Sequence, residues 1–293
     1  MKNKIIFPCA ALSLAAALSW PVAAWAQAKY ASPEAAADAL INAVSTNNTK
    51  ALAIVLGQDW RKLLPPDGVD PADRQAFLDK AKERRAVTLA DAHGELVVGN
   101  DPWAFPVPLL RGSDSQWHFD PKGGRDAIRE RRIGANERAA MQAVLAYLDA
   151  QREYATADRN ADGVFEYARR FYSNKGKRDG LIWDPTLGDD SPLGEAYVPS
   201  KPDSGYHGYR FKILEGQGPH ATGGARSYLI GNRLMSGFAL IAWPVTYGET
   251  GVTSFIVNQE GVVYERNLGP DSSAIAKGIT QFDPVEPWHK VAP

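Results

Sequence analysis

The sequence predicts an α+β fold: N-terminal helices with a small curved antiparallel sheet, then a long helix packed on an antiparallel β-meander. Two strong helix starts, Ser32-Pro33 and Asp70-Pro71, lie in the first quarter of the chain. The later stretch of residues 137–157 keeps its apolar residues on one helical face, and short apolar runs with short connections follow it. Helices and strands that are grouped rather than alternating favour this fold class.

Residues 1–26 have the pattern of a secretory signal peptide. Lys2 and Lys4 precede an apolar run, and Ala24 and Ala26 offer the small residues that a signal peptidase recognises. The run is shorter than the roughly 20 apolar residues of a membrane span, so an uncleaved anchor is the less favoured alternative. We therefore expect a periplasmic or secreted protein without a membrane span after cleavage.

The composition excludes several classes of site and partner. The single cysteine, Cys9, lies in the signal segment, so the cleaved chain would have no disulfide, thiolate nucleophile or cysteine-ligated metal. The formal net charge of −1 gives no basic face of the kind that binds nucleic acid, so no nucleic-acid partner is expected. The run at residues 238–245 is too short to cross a bilayer.

Residues 27–133 are predicted to form an N-terminal α+β lobe. Three short helices come first, with Ser32, Asn48 and Asp70 as their N-caps, and the third is expected to end near Arg85. A strand with two prolines, residues 103–112, is expected at a sheet edge or at a bulge, because proline cannot donate to a ladder. Further strands are expected at residues 94–99 and 116–120, the latter in a hairpin with the proline-containing strand.

Residues 134–293 are predicted to form a C-terminal lobe built on one long helix. Asn136 is expected to cap this helix. Its apolar stripe consists of Met141, Val144, Leu145 and Leu148. A long polar loop, residues 173–205, is interpreted as an ordered surface loop or a lid. The expected strands are residues 209–214, 227–231, 237–243, 252–258 and 261–269, with a short closing helix after them.

Three stretches carry a family resemblance: GYHGYRFKIL, GFALIAWPVTYGETGVTSFIVNQEGVVYERNLGP and NERAAMQAVLAYLDAQREYA. Together they resemble domain-of-unknown-function family 2950, a family of secreted bacterial proteins, over a span from about Tyr30 to Trp288. This family has no assigned reaction, so the resemblance implies no catalytic residue. The C-terminal lobe also resembles the globular part of type IV pilins and pseudopilins, with DGVFEYA at the position of a pilin turn. A cleavable signal and a charged helix depart from the pilin pattern, which favours an accessory over a fibre subunit.

Residues 158–163, DRNADG, have the D-x-N-x-D-G order of many calcium loops. The helix–loop–helix form of such a site needs a bidentate Glu at its twelfth position, where this chain has Arg169. A looser site remains, with a dissociation constant of about 10⁻⁴ to 10⁻³ M. Its oxygens would come from Asp158, Asn160, Asp162, the carbonyl of Val164, and Glu166. The alternative is a turn in which these side chains bind the backbone. No other cofactor is expected.

Four residues are candidates for ligand binding. GYHGYRF places His207 beside a glycine and near Tyr209 at the start of a strand, and Trp183 and Trp243 are candidates to line a groove for a peptide or a sugar. The alternatives are a turn with aromatic cover for His207 and core packing for the tryptophans. No H-E-x-x-H, G-x-S-x-G or phosphate-loop pattern occurs, so no catalytic residue is predicted.

Three functions fit these observations. The first is a non-enzymatic envelope protein, a binding or assembly accessory whose partner is an unknown envelope protein or polymer. The second is a hydrolase of envelope polymers that uses His207 and the acidic residues near Asp189. The third is a fibre or pseudopilus-like subunit. The absence of a nucleophile motif or a metal motif favours the first.

Overall fold

The structure is a computed structural model that describes residues 26–64, 69–194 and 205–291. Helices and antiparallel sheets confirm the α+β class. Two compact units divide between Pro121 and Lys122, earlier in the chain than the predicted boundary at residue 133. Residues 1–25 of the predicted signal peptide and residues 195–204 of the predicted polar loop lie outside the described residues.

The helices of the N-terminal unit begin at the predicted caps. The Ser32 hydroxyl accepts a hydrogen bond from Ala35 N, and the Asn48 and Asp70 side chains bind backbone amides in the first turn in the same way. The elements are α1 (Pro33–Ser45), α2 (Thr49–Leu56), a 3₁₀ turn (Trp60–Leu63) and α3 (Pro71–Glu83). The unit's core includes the fully buried Leu40.

One antiparallel sheet completes the N-terminal unit. Its strands are β1 (Arg85–Ala90), β2 (His93–Val98), β3 (Trp103–Ala104), β4 (Leu109–Arg111) and β5 (Trp117–Phe119). They are ordered β1-β2-β4-β5, with β3 also paired to β2. The β4–β5 hairpin confirms the prediction, whereas the proline-containing strand is divided into β3 and β4. The prediction that α3 continues to Arg85 was wrong, because Arg85 already pairs with Val98 as the first residue of β1.

The C-terminal unit is built on α4 (Pro121–Tyr154), which begins well before the predicted cap. Asn136 was therefore wrongly predicted as an N-cap, since it lies inside the helix. Three side chains in this first half bind the loop of residues 246–253: Arg132 pairs with Glu249, Asn136 Nδ2 donates to Thr250 O, and Glu137 Oε1 accepts from Val252 N and Thr253 N. These long-range contacts stabilise a helical segment that contains three glycines.

The predicted meander forms a five-stranded antiparallel sheet beside two short ribbons. The remaining strands are β6 (Tyr209–Leu214), β7 (Gly216–Gln217), β8 (Arg226–Ser227), β9 (Leu229–Ile230), β10 (Arg233–Leu234), β11 (Ala239–Pro244), β12 (Thr253–Asn258), β13 (Tyr264–Asn267) and β14 (His289–Lys290). The main sheet has the order β14-β13-β12-β11-β6, which places β6 at one edge. The closing helix, α5 (Ser272–Gly278), lies between β13 and β14 in the chain.

The apolar face of α4 packs in the core of this unit. Val144 and Leu148 are buried as predicted, while Met141 and Leu145 are half-buried at the margin of the core. The buried face also contains Tyr147, Gln151 and Tyr154, which the prediction did not include. The buried face of α4 is therefore centred closer to these three residues than predicted. Their polar groups need hydrogen-bond partners inside the core.

Gln151 meets that requirement by binding the chain segment that follows α4. Its Nε2 donates to Ala168 O at 2.8 Å and to the Tyr147 hydroxyl at 3.0 Å, and its Oε1 accepts from Ala168 N at 2.8 Å. The Tyr147 hydroxyl in turn donates to Ala239 O on β11. One buried amide therefore joins the helix to the next segment of the chain and, through Tyr147, to the sheet.

The described part of the predicted polar loop is ordered and partly buried. Leu181, Ile182, Trp183 and Leu193 belong to the core. Backbone bonds join Ile182 N to Phe171 O at 2.7 Å and Ser173 N to Ile182 O at 2.8 Å. Residues 173–194 are therefore an ordered segment with an apolar anchor at residues 181–183.

Buried tyrosines make the stability of this unit sensitive to alkaline pH. Burial raises the pKa of Tyr147 and Tyr209, and it raises the pKa of Tyr154 to about 12. In the unfolded chain the same phenols ionise near about pH 10, so their stabilising effect is complete below that pH and is lost as the pH rises toward the folded values.

We therefore expect the melting temperature to fall progressively above about pH 10. Absorbance of tyrosinate should increase in two stages, with the buried phenols ionising only as the protein unfolds. Thermal melts and absorbance titrations across the alkaline range test this expectation. Ionisation of all tyrosines in one stage near pH 10, with near-ultraviolet circular dichroism unchanged, would contradict it.

Candidate functional site

A half-open cavity of about 270 Å³ lies in the C-terminal unit. We call it the β6 cavity, because Tyr209, Arg210 and Phe211 at the start of β6 belong to its lining. Six of its lining residues are aromatic: Phe171, Tyr172, Tyr206, Tyr209, Phe211 and Trp243. Aliphatic side chains from α4, from residues 182–193 and from β11 complete much of the wall. Its size and lining approach those of small-molecule sites.

Two of the predicted ligand-binding residues, Tyr209 and Trp243, meet in this cavity. Tyr209 is held firmly: its side chain is fully buried and its hydroxyl donates to Thr253 O at 2.7 Å. Gly251 packs directly on the Tyr209 ring, which leaves no space for a β-carbon at that position. Trp243 is also buried, and its indole Nε1 has no hydrogen-bond partner in the described residues.

Arg210 is the charged residue of the lining. It is half-buried, and its guanidinium forms no ion pair or hydrogen bond with any part of the chain that the structure describes. Cross-strand pairing places it opposite Trp243 on β11. An unpaired cation beside aromatic walls is suited to a ligand that combines an anionic group with an apolar one.

Trp183 lies in a different cavity. This second cavity, of about 330 Å³, is lined by Trp183, Pro185, Asp189, Asp190, Ser191 and Gly194. The Trp183 indole donates to Asp189 O at 2.9 Å, and Arg159 Cζ lies 5.4 Å from its ring centroid. The structure therefore separates Trp183 from Tyr209 and Trp243.

His207 is exposed and lies at a turn before β6. Its φ of +45° is in the left-handed region, and its ring packs against Tyr206 with centroids 4.5 Å apart. It lines neither described cavity, and Asp189 is in the second cavity. The arrangement thus matches the alternative of a turn with aromatic cover and does not bring His207 and Asp189 together for hydrolysis.

The candidate calcium loop folds as a turn held by its own side chains. Asp158 accepts hydrogen bonds from Gly163 N at 2.7 Å and Asp162 N at 3.2 Å. Asp162 pairs with Arg233 at 2.6 Å. Asn160 Nδ2 donates to Glu166 Oε1 at 2.9 Å. Backbone donors hold the pKa of Asp158 below its usual value, and burial raises that of Glu166. These are the contacts of the turn alternative.

Calcium binding at this loop stays a prediction that a melting experiment can test. No group of three or more histidine, aspartate or glutamate side chains in the described ranges is arranged to hold a metal. Because Arg233 already pairs with Asp162, the turn alternative predicts that millimolar calcium leaves the melting temperature unchanged. A site filled to about 100 times its dissociation constant would instead stabilise the fold by about 2.7 kcal/mol.

The structure also pairs two histidines with acids that sequence patterns did not connect. His220 Nδ1 lies 3.0 Å from Asp283 Oδ2, and His289 Nε2 lies 3.1 Å from Glu265 Oε1. Both histidines are exposed, and neither bonds to a serine or threonine hydroxyl within the described ranges. Partners so distant in the chain leave no local sequence signal.

Comparison with known proteins agrees with the sequence resemblance. The model of a family described as "Protein of unknown function (DUF2950)" matches residues 27–291. No curated protein and no solved structure matches the chain, so the pilin-like character of the C-terminal unit is not confirmed. Within the described residues, no helix combines the length and the apolar character needed to cross a membrane. Because the family match covers nearly the whole sequence, the chain belongs to the DUF2950 family.

Proposed function

We propose that this DUF2950 protein is an exported, non-enzymatic binding protein that holds its ligand in the β6 cavity. The observation that carries the proposal is the lining: six aromatic side chains with one unpaired cation, Arg210. Aromatic walls bind apolar groups by burying their surface, and a single guanidinium fixes the orientation of an anionic group.

The lining supports recognition rather than reaction. It contains no histidine, carboxylate, serine, threonine or lysine side chain among the described residues. General acid–base chemistry needs a titratable group within hydrogen-bond reach of the reacting atom, and nucleophilic chemistry needs an activated nucleophile. Of its three tyrosines, Tyr209 has a pKa raised by burial and a hydroxyl that already donates to Thr253 O, and burial also raises the pKa of Tyr172. The Tyr209 phenol is therefore poorly placed to transfer a proton.

The proposal of export is supported by the sequence pattern of residues 1–26. N-terminal sequencing of protein recovered from the envelope fraction tests it. A first residue at Gln27 is expected if cleavage follows Ala26. Recovery of the chain with Met1 still present would contradict cleavage.

The fluorescent anion 8-anilinonaphthalene-1-sulfonate is a suitable probe of the cavity, because its rings match the aromatic walls and its sulfonate matches Arg210. We expect saturable binding with one site per folded chain. Ala143 lines the cavity from α4, so Ala143→Leu should fill part of the space and weaken probe binding by about tenfold or more.

Gln142→Leu is the matched control, because it adds the same side chain to an exposed neighbouring position on α4. This variant should bind the probe with unchanged affinity. Since partly unfolded proteins also bind this probe, both variants must first show cooperative unfolding and native near-ultraviolet circular dichroism. Equal probe affinity in the wild type and Ala143→Leu would overturn the assignment of the cavity.

A further inference from the structure

The outer edge of β6 presents backbone groups without partners. β6 is the last strand of its sheet and pairs with β11 on one side. Val245 N donates to Gly208 O, so the backbone groups of Gly208 point toward β11. Backbone groups alternate in direction along an antiparallel strand, so the N–H and C=O groups of Arg210 and Lys212 also point toward β11. The N–H and C=O groups of Phe211 and Ile213 therefore face away from the sheet. No bond to them is found in the described part of the chain.

This open edge is short and has defined limits. Before it, Tyr209 N and O bond to Tyr206 O and N across a tight turn. After it, Glu215 O accepts a hydrogen bond from Tyr228 N. Residues 211–213 thus offer two donors and two acceptors at the spacing of a β-ladder, and an extended segment of a few residues can satisfy them.

The same three residues connect the edge to the β6 cavity. Side chains alternate along a strand, so Tyr209, Phe211 and Ile213 share one face, and Arg210 and Lys212 share the other. Phe211 lines the cavity and packs on Phe171 with ring centroids 6.4 Å apart. A strand added at this edge would therefore direct every second side chain toward the aromatic walls.

Arg210 belongs to the cavity lining, but its side chain leaves the strand on the opposite face, so a ligand must cross the edge of β6 to contact both the aromatic walls and the guanidinium. Lys212 Nζ donates to Ala276 O and Lys277 O at the end of α5, so its ammonium is already bonded. Arg210 has no such partner in the described residues. A side chain next to the one that enters the cavity would lie on this face, and a carboxylate there would complement Arg210.

We propose that the ligand is an extended peptide segment of another protein, which adds as a strand to the outer edge of β6. An apolar side chain of this segment enters the β6 cavity, and an adjacent acidic residue pairs with Arg210. The inference rests on the proposed binding function and names its ligand class. A peptide backbone is the ligand that repeats donors and acceptors at the spacing which Phe211 and Ile213 require.

A fluorescein-labelled peptide, Thr-Glu-Phe-Glu-Val-Thr, tests the proposal by fluorescence anisotropy. We expect saturable binding, and Arg210→Gln should weaken it by about tenfold, the typical effect of a charge-assisted hydrogen bond. A second peptide with glutamine in place of glutamate should bind wild type and Arg210→Gln equally. Methylation of the phenylalanine amide should abolish binding, because it removes a donor to the edge.

Ile213→Pro separates strand addition from occupation of the cavity. Its N–H faces outward, so proline should preserve the ladder to β11 while it removes one donor and obstructs the incoming strand. Ile213→Ala is the matched control, because it shortens the side chain but keeps the N–H. We expect Ile213→Pro to weaken peptide affinity by about tenfold or more and Ile213→Ala to leave it unchanged. Both variants should still bind the fluorescent sulfonate.

Three outcomes would overturn the inference, and the first two would leave the cavity function standing. Equal peptide affinity for Ile213→Pro and wild type excludes strand addition but not ligand binding in the cavity. If wild type binds the sulfonate but not the peptide, strand addition is again excluded and ligand binding in the cavity is not. A concentration-dependent dimer that Ile213→Pro abolishes would show that a second copy of this chain occupies the edge instead.

Discussion

Replacing Gln151 with leucine is expected to lower the free energy of unfolding by about 4 kcal/mol. The side chain is fully buried, and its amide satisfies both the N–H and the C=O of Ala168. Leucine is similar in size but has no polar atoms, so two buried backbone groups would lose their partners, and each such loss costs about 1–3 kcal/mol. The Tyr147 hydroxyl would also lose one of its two bonds. Urea unfolding measured by tryptophan fluorescence gives the value.

Gln142→Leu is again the matched control, since the same change on the exposed face of α4 should alter stability by no more than about 0.5 kcal/mol. A loss below about 1 kcal/mol for Gln151→Leu would mean that water or a rearranged segment satisfies Ala168. That result would contradict the role of Gln151 as the link between α4 and the segment after it.

Gly251→Ala is expected to destabilise the fold by about 3 kcal/mol, at the upper end of typical overpacking effects. A β-carbon at this position would overlap the Tyr209 hydroxyl and lie 2.6 Å from two of its ring carbons. The ring cannot move away easily, because it is fully buried and its hydroxyl is bonded to Thr253 O. Since Tyr209 lines the β6 cavity, the variant should also weaken binding of the fluorescent sulfonate.

Gly134→Ala is the control for this substitution. Gly134 lies inside α4, and a β-carbon there would meet only Arg138 Nη1, at 3.6 Å. Alanine should therefore raise stability by up to about 1 kcal/mol through its higher helix propensity. If Gly251→Ala unfolds at the same urea concentration as wild type, Tyr209 is not held as tightly as its contacts indicate.

Local chemistry made much of the fold predictable. Ser32, Asn48 and Asp70 were recognised as caps because each hydroxyl, amide or carboxylate needs no distant partner to bind the first turn of its own helix. Short apolar runs with short connections likewise located β6, β11 and β12. The connection between the predicted strands at residues 252–258 and 261–269 includes Gly261, whose φ of +80° suits glycine.

Features that depend on distant contacts were not predictable in this way. The long helix was predicted to begin at Asn136, but it begins earlier, and Arg132 and Glu137 stabilise its first half through the loop of residues 246–253. A polar residue such as Gln151 is expected at the surface from sequence alone, and its partner Ala168 is identified only by the fold. Tertiary bonding overrides local propensity at both positions.

The candidate site was predicted in part for the same reason. Tyr209 and Trp243 belong to strands that the sequence shows as short apolar runs, and the fold brings both residues to one cavity. His207 was a candidate because of the glycine and tyrosine beside it in the sequence, but it lies exposed at a turn. Trp183 lies in a separate cavity. Arg210 had no distinguishing sequence signal, because the absence of a partner is a property of three-dimensional structure.

Hydrogen exchange of single backbone amides in β6 tests most directly the claim that its outer edge is an open binding edge beside the cavity. In the free protein the amides of Phe211 and Ile213 should exchange quickly, while the amide of Lys212, which faces β11, should be protected. Addition of the acidic hexapeptide should slow exchange at Phe211 and Ile213. Equal protection of all three amides in the free protein, or no change at Phe211 and Ile213 at saturating peptide, would contradict the claim.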